Sequence, residues 1–174
     1  MTNFKNYLEA KVNSRGNKNL NYLSSFFSET ELAILSNKTI SIVGTNGKSS
    51  TANNIAMLLK GLDKSYIAFT SPHLFDYKER MTAHKDLNFN EYIQYLENFE
   101  LKNNINLGYF ESTFLIAAKA FLHNDMDYFI CEAGIGGKYD TTSVIQSKTV
   151  VLTSIGLDPV SYTHLTLPTS SVVE

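Results

Sequence analysis

Gly44, Gly47 and Lys48, followed by the hydroxyl run Ser49-Ser50-Thr51, are the residues whose types and spacing point most directly to chemistry. Two glycines separated by Thr45 and Asn46 can take backbone angles closed to other residues and bring bare backbone close to an anion. Lys48 adds a full positive charge where the outer phosphates of a nucleotide would lie, and a hydroxyl from Ser49, Ser50 or Thr51 can reach Mg²⁺. Three further sets of candidates lie downstream: Ser71-Pro72-His73-Leu74 with Glu79-Arg80, Glu111 within Phe110-Glu111-Ser112-Thr113, and Glu132.

An anion loop of this kind needs a strand before it and a helix after it. The β-branched run from Ile40 to Val43 supplies the strand, and the amphipathic stretch from Ala52 to Leu62 supplies the helix, with Ile55, Met57, Leu58, Leu59 and Leu62 expected on its buried face. The N-terminus of such a helix points free N–H groups and a positive dipole end at the loop. The general phosphate-loop pattern has four residues between its glycines and this chain has two, so an ordinary strand-to-helix turn is the competing reading.

Further elements follow in order. Residues 1–38 read as a helical leader with a turn at Arg15-Gly16-Asn17 and a capping box at Ser28-Glu29-Thr30-Glu31. Ser65 to Thr70 is a second strand, and in a parallel βαβ unit the loop after it, Ser71 to Leu74, falls at the carboxyl end of the sheet beside the first loop. Ser71 is there either a turn serine or an oxygen donor to a metal or ligand. Tyr77 to Asn90 reads as a long loop or short hairpin. Asn90 is expected to cap a helix to about Glu100, with Tyr92, Ile93, Leu96 and Phe99 inward. A second, strongly apolar helix opens at Tyr109, where Glu111 suits the dipole or, less simply, touches a substrate or metal. Tyr128 to Glu132 is a buried strand ending in a carboxylate, followed by the glycine-rich stretch Gly134 to Gly137, whose charged followers are Lys138 and Asp140; Thr149 to Leu152 is a further strand. The fold class expected is α/β: a Rossmann-like phosphate-loop domain with a mostly parallel sheet and flanking helices.

Composition narrows the function. The 174 residues are 43% hydrophobic, enough for one domain with a real core, and the formal net charge is −2. Arg15 and Arg80 are the only arginines, which argues against a nucleic-acid surface. No apolar run is long enough to span a bilayer, and Met1 to Ala10 lacks the apolar stretch of a signal peptide. Cys131 is alone and in an apolar run, as expected of a buried thiol in a reducing compartment. A cytoplasmic monomer acting on small molecules, without nucleic-acid or membrane partners, is the expectation.

Taken together, the motifs resemble the folylpolyglutamate synthase/dihydrofolate synthase family, a branch of the Mur ligases. That family carries GTNGKGST where Gly44 to Thr51 read GTNGKSST, and SPHL with a Glu-Arg pair, as in Ser71 to Leu74 and Glu79-Arg80. Its Phe-Glu-x-x-Thr helix start is close to Phe110-Glu111-Ser112-Thr113, its E-x-GLGGRLDATN is matched by Glu132 to Ser143 with substitutions, and its TSIGLDH by Thr153 to Asp158. The resemblance implies a central domain of Mur ligase type. It also implies ATP-dependent amide-bond formation: ATP phosphorylates a carboxylate of dihydropteroate or a folate, and the amine of glutamate attacks the acyl phosphate. By that resemblance Gly44 to Thr51 cradle ATP, with Lys48 on the outer phosphates and, with Glu132, in a catalytic role. Ser71 and Glu132 hold Mg²⁺ with Ser50, and Ser71, Pro72, His73, Arg80 and Glu111 meet the substrate, the SPHL loop on its pterin side. Ser49 stands where the family has glycine, which leaves open whether Ser49 or Ser50 faces the metal. Lys138 and Ser143 replace the family's arginine and asparagine. A peptidoglycan-type Mur ligase and a nucleotide-binding module without ligase activity are the alternatives.

The family pattern stops at Asp158, where its metal-binding histidine gives way to Pro159, and lysine and asparagine vanish after Lys148. Val160 to Thr169 can be encoded by a string that contains a transposon-end sequencing adaptor. Residues 159–174 are therefore read as a non-native tail and set aside from fold reasoning. Residues 39–158 are read as an incomplete ATP-binding domain, and a truncated product of this kind is expected to be inactive on its own.

Overall fold

The computed structural model describes residues 3–12, 20–134 and 140–156. The Arg15-Gly16-Asn17 turn, Lys138 and everything from Leu157, including the break at Pro159, lie outside the described residues. Eleven helices and strands follow in order: α1 (Phe4–Lys11), α2 (Leu20–Ser24), α3 (Glu29–Lys38), β1 (Thr39–Val43), α4 (Lys48–Gly61), β2 (Tyr66–Phe69), β3 (Met81–Ala83), α5 (Ile93–Asn103), α6 (Tyr109–His123), β4 (Tyr128–Glu132) and β5 (Thr149–Leu152). Short 3₁₀ turns precede β3 and α5 and lie between β4 and β5. The five strands form one sheet in the order β3-β2-β4-β1-β5, parallel except for the edge strand β3. This is the α/β architecture the sequence predicts.

Both faces of the sheet are covered, and side chains alternate between them at the strand period of two. Ile67 and Phe69 of β2, with Phe129 and Cys131 of β4, face the larger core beneath α6 and the leader. Tyr66, Ala68 and Ile130 face the smaller core under α4. The leader is part of the larger core, since Phe4, Leu8, Leu23 and Leu35 are fully buried in it.

The capping box of α3 is present: Ser28 N donates to Glu31 Oε2 at 2.9 Å, and Glu31 N to Ser28 Oγ at 3.2 Å. Glu31 also takes the buried ammonium of Lys119 from α6. On the other side of the leader, the carboxylate of Glu100 accepts from Tyr7 Oη (2.9 Å), Lys11 Nζ (2.5 Å) and Leu107 N (2.6 Å).

Two expectations need correcting. The buried stripe of α4 is Ala52, Ala56 and Leu59, while Met57, Leu58 and Leu62 are exposed by two thirds or more. Small residues let the helix lie close to the sheet, so packing distance rather than side-chain size selects the inner face. Asn90 does not cap α5: its side chain accepts from Phe4 N at 2.7 Å, and Asn88 caps the intervening 3₁₀ turn. Tyr92, Ile93, Leu96 and Phe99 are inward as expected.

Phe129 is fully buried in a central strand, 5.5 Å from the Phe121 ring in a stacked pair. Phe129→Ala is expected to cost about 3–5 kcal/mol of stability. A lower denaturant midpoint at unchanged slope would show this; a change below about 1 kcal/mol would place the core elsewhere.

Candidate functional site

Parallel strands bring their carboxyl ends to one edge, and the register sets which residues meet there. Ile42 lies opposite Glu132, Phe69 opposite Cys131, and Val43 opposite Leu152. Gly44, Ser71, Glu132 and Thr153 each stand at or just beyond these ends, so four chain segments converge on one edge.

The loop from Gly44 to Gly47 has the shape its glycines suggest. Gly44 has φ +140° and a Cβ there would lie 2.2 Å from Thr153 Oγ1 and 2.9 Å from Ser154 O, so no side chain fits. Gly47 has φ +82° and is the N-cap of α4, with no side-chain cap. The first amides of α4 therefore have neither an intrahelical partner nor a capping side chain. Lys48 Nζ donates to Gly44 O at 2.9 Å and to Thr45 O at 3.2 Å, bracing the loop it follows. Thr45 and Asn46 lean on the segment from Thr153 to Gly156.

Glu132 is the centre of the edge. The residue is 2% exposed, and its carboxylate accepts from Ser49 Oγ at 2.9 and 3.0 Å and from Ser71 N at 3.0 Å. Burial pushes its pKa above the ordinary glutamate value, against the pull of the Ser71 amide, the Ser49 hydroxyl and the more distant Lys48 and Arg80 charges. The hydroxyl that meets the carboxylate belongs to Ser49. Ser50, the residue named for the metal from sequence, is exposed, because one step along a helix turns a side chain about 100° away. Thr51 lies a turn into the helix, its N–H on Gly47 O at 2.9 Å.

The donors gathered here are hard oxygens: the Glu132 carboxylate, the Ser49 hydroxyl and the backbone carbonyl of Ser71, 3.5 Å from Ser49 Oγ. Among the described residues no group of three or more His, Cys, Asp or Glu is placed to hold a metal. A single buried carboxylate beside hydroxyls and a phosphate loop suits Mg²⁺, which keeps several waters and takes few protein ligands besides phosphates.

The other sequence-derived candidates divide. His73 and Arg80 come together, with Arg80 Nε donating to His73 Nδ1 at 2.7 Å. The Tyr109 ring stacks on His73 at 5.9 Å and lies 5.3 Å from the Arg80 guanidinium. Glu79 shapes the loop: its carboxylate accepts from the amides of Leu74, Phe75 and Asp76, which hold its pKa below the ordinary range. Beside this group is a cavity of about 410 Å³ lined by His73, Arg80, Tyr109 and Tyr77, and by Lys5 and Glu9 of α1 among others. Pro72 is exposed. Glu111 is buried in the first turn of α6 and does not line this cavity. Asp140 caps the turn from Thr141 to Val144, accepting from Thr142 N at 2.9 Å. In the sequence Thr153 and Ser154 stand out only as part of the TSIGLDH-like motif, with no site role attached, and Tyr109 and the α1 residues carry none either. Only the hydroxyl pair at a strand's carboxyl end carried a local signal.

No family model matches the chain. It is 36% identical over 163 residues to the dihydrofolate synthase/folylpolyglutamate synthase of Buchnera aphidicola subsp. Schizaphis graminum, an alignment covering 89% of this chain and 37% of that protein. Among solved structures it is similar to E. coli FolC in complex with DHPP and ADP, with TM-score 0.74, 28% identity, and coverage of 88% of this chain and 37% of that one. It is similar also to a bifunctional folylpolyglutamate synthase/dihydrofolate synthase with Mn, AMPPNP and L-glutamate bound, with TM-score 0.72, 29% identity, and coverage of 90% and 39%. The chain thus spans a little over a third of the length of these relatives.

The raised pKa of Glu132 has a consequence for stability. The folded state holds this proton more tightly than the unfolded state, so stability falls as pH rises from the ordinary glutamate value through the raised one. In metal-free buffer at pH 7, Glu132→Gln is expected to be more stable than the wild type and to lose this part of the pH dependence. Chemical denaturation from pH 4 to 8 measures it; a variant less stable at pH 7 would show that the carboxylate is not strained by burial.

Proposed function

Because the chain belongs to the dihydrofolate synthase/folylpolyglutamate synthase family, we propose that it forms the ATP-binding part of an enzyme that adds glutamate to dihydropteroate or folates through an acyl phosphate. The observation that carries this reading is the Glu132 carboxylate, held between the first hydroxyl after the loop lysine and the first amide of the Ser71 loop. A plain turn would have no reason to bury a charge there.

In this reading the amides at the start of α4 and the charge of Lys48 receive the phosphates of ATP. Glu132 and Ser71, with Ser49 in place of Ser50, would hold Mg²⁺, which when bound would supply positive charge beside the transferred phosphoryl group. Arg80 and Tyr109, organised around His73, offer a cation and an aromatic face to the pteridine-bearing acceptor, and the adjoining cavity has the volume for a flat heteroaromatic group. Catalysis is then positioning and charge neutralisation, not covalent chemistry by the protein. Residues 39–158 would be the nucleotide domain, and the leader, which lines the cavity, would contribute to the acceptor side. The protein works as a monomer on small molecules in the cytoplasm; among the described residues no helix is long and apolar enough to cross a membrane.

The reading is tested with the complete coding sequence, by ATP-dependent glutamate addition to dihydropteroate and to tetrahydrofolate. Turnover with at least one acceptor is expected, and Lys48→Ala and Glu132→Gln should each lower kcat/KM by about 10²–10³-fold while the fold persists. Wild-type protein that turns over neither acceptor would remove the synthase reading. Full activity in Glu132→Gln would make Glu132 a structural carboxylate.

A further inference from the structure

The segment that leaves β5 does more than end a strand. Thr153 N donates to Val43 O at 2.9 Å, and Thr153 Oγ1 donates to Asn46 O at 2.7 Å and lies 3.3 Å from Val43 O. Ser154 O accepts from Thr45 N at 2.8 Å. Ser154 Oγ accepts from Asn46 N at 3.0 Å and donates to Asn46 O at 3.1 Å. Gly156 N donates to Thr45 Oγ1 at 3.1 Å, and Thr45 Oγ1 lies 3.3 Å from Gly156 O. The space a Gly44 side chain would need is filled by Thr153 and Ser154.

A backbone amide has one proton to give. Those of Thr45 and Asn46 are committed to Ser154, so the first half of the loop is not where an anion is held. The amides of Gly47, Lys48, Ser49 and Ser50 precede the first intrahelical bond of α4, from Thr51 N to Gly47 O at 2.9 Å, and remain for a ligand. We infer that Thr153 and Ser154 are positioning residues for the nucleotide: they clamp the Thr45–Asn46 arm so that the phosphates are received by the amides from Gly47 to Ser50. The inference rests on the reading of the loop as a nucleotide site and adds which half of it binds and what sets its shape.

The test compares Thr153→Val, which keeps the shape and removes the hydroxyl, Thr153→Ser, which restores it, and Ser154→Ala, all in the intact protein. Titration calorimetry with ADP alone and with a non-hydrolysable ATP analogue plus Mg²⁺ gives the affinities. Thr153→Val and Ser154→Ala are expected to weaken both nucleotides about tenfold, with melting temperatures within a few degrees of wild type. In turnover, KM for ATP should rise by a similar factor while kcat and KM for the acceptor hold within about twofold, and Thr153→Ser should bind as wild type does. Unchanged affinity in both hydroxyl-deleted variants, or a Thr153→Ser protein as weak as Thr153→Val, overturns the inference. If the wild type binds neither nucleotide, the nucleotide reading itself falls, and this inference with it.

Discussion

A carboxylate buried at the end of a central strand is the constraint around which the site is arranged. Glu132 lies almost out of water, and its charge would be costly there without donors. Two are supplied from separate loops, the Ser49 hydroxyl from the start of α4 and the Ser71 amide from the exit of β2. They are too few to return the carboxylate to its ordinary acidity, so burial still prevails over stabilisation. A site in that condition favours an added cation, and the phosphate loop alongside favours an added anion. Magnesium with a nucleotide satisfies both demands together.

The fold delivers this arrangement by register. A one-residue slip of β4 against β1 would turn Glu132 to the other face of the sheet and bring Cys131 to the loop. Period-two burial on both faces, with Phe129 and Cys131 in one core and Ile130 in the other, prevents the slip. The alanines of α4 let the helix approach the sheet closely enough for Ser49 to reach across to β4. Core packing and site geometry thus depend on the same residues.

Much of this was legible in the residues. The strand-loop-helix around Gly44 and Lys48 follows from β-branched residues ending in glycine, and the parallel edge follows from alternating strands and helices. Glu132 stood out as a charge closing an apolar strand. What escaped the sequence was contact between distant segments. Nothing local says that Ser49 rather than Ser50 faces Glu132, since that depends on the phase of α4 set by packing. Nothing local ties Thr153 to Asn46, 107 positions apart. For Tyr77 to Asn90 the sequence offers a long loop or a short hairpin, but not the pairing of β3 with β2: Met81 to Ala83 is too short to show a period, and it forms because β2 offers a free edge. The cavity beside His73 joins α1 to a loop more than sixty residues away, and sequence spacing carries no trace of it.

Glu132 and the phosphate loop are proposed to form one metal–nucleotide site. Anomalous diffraction from crystals of the intact protein grown with Mn²⁺ and a non-hydrolysable ATP analogue tests it most directly. A single strong manganese peak is expected, bonded to a Glu132 carboxylate oxygen and to the analogue, with the phosphates against the amides of Gly47 to Ser50. A metal bound to the phosphates while Glu132 remains paired with Ser49 and Ser71 alone would contradict it.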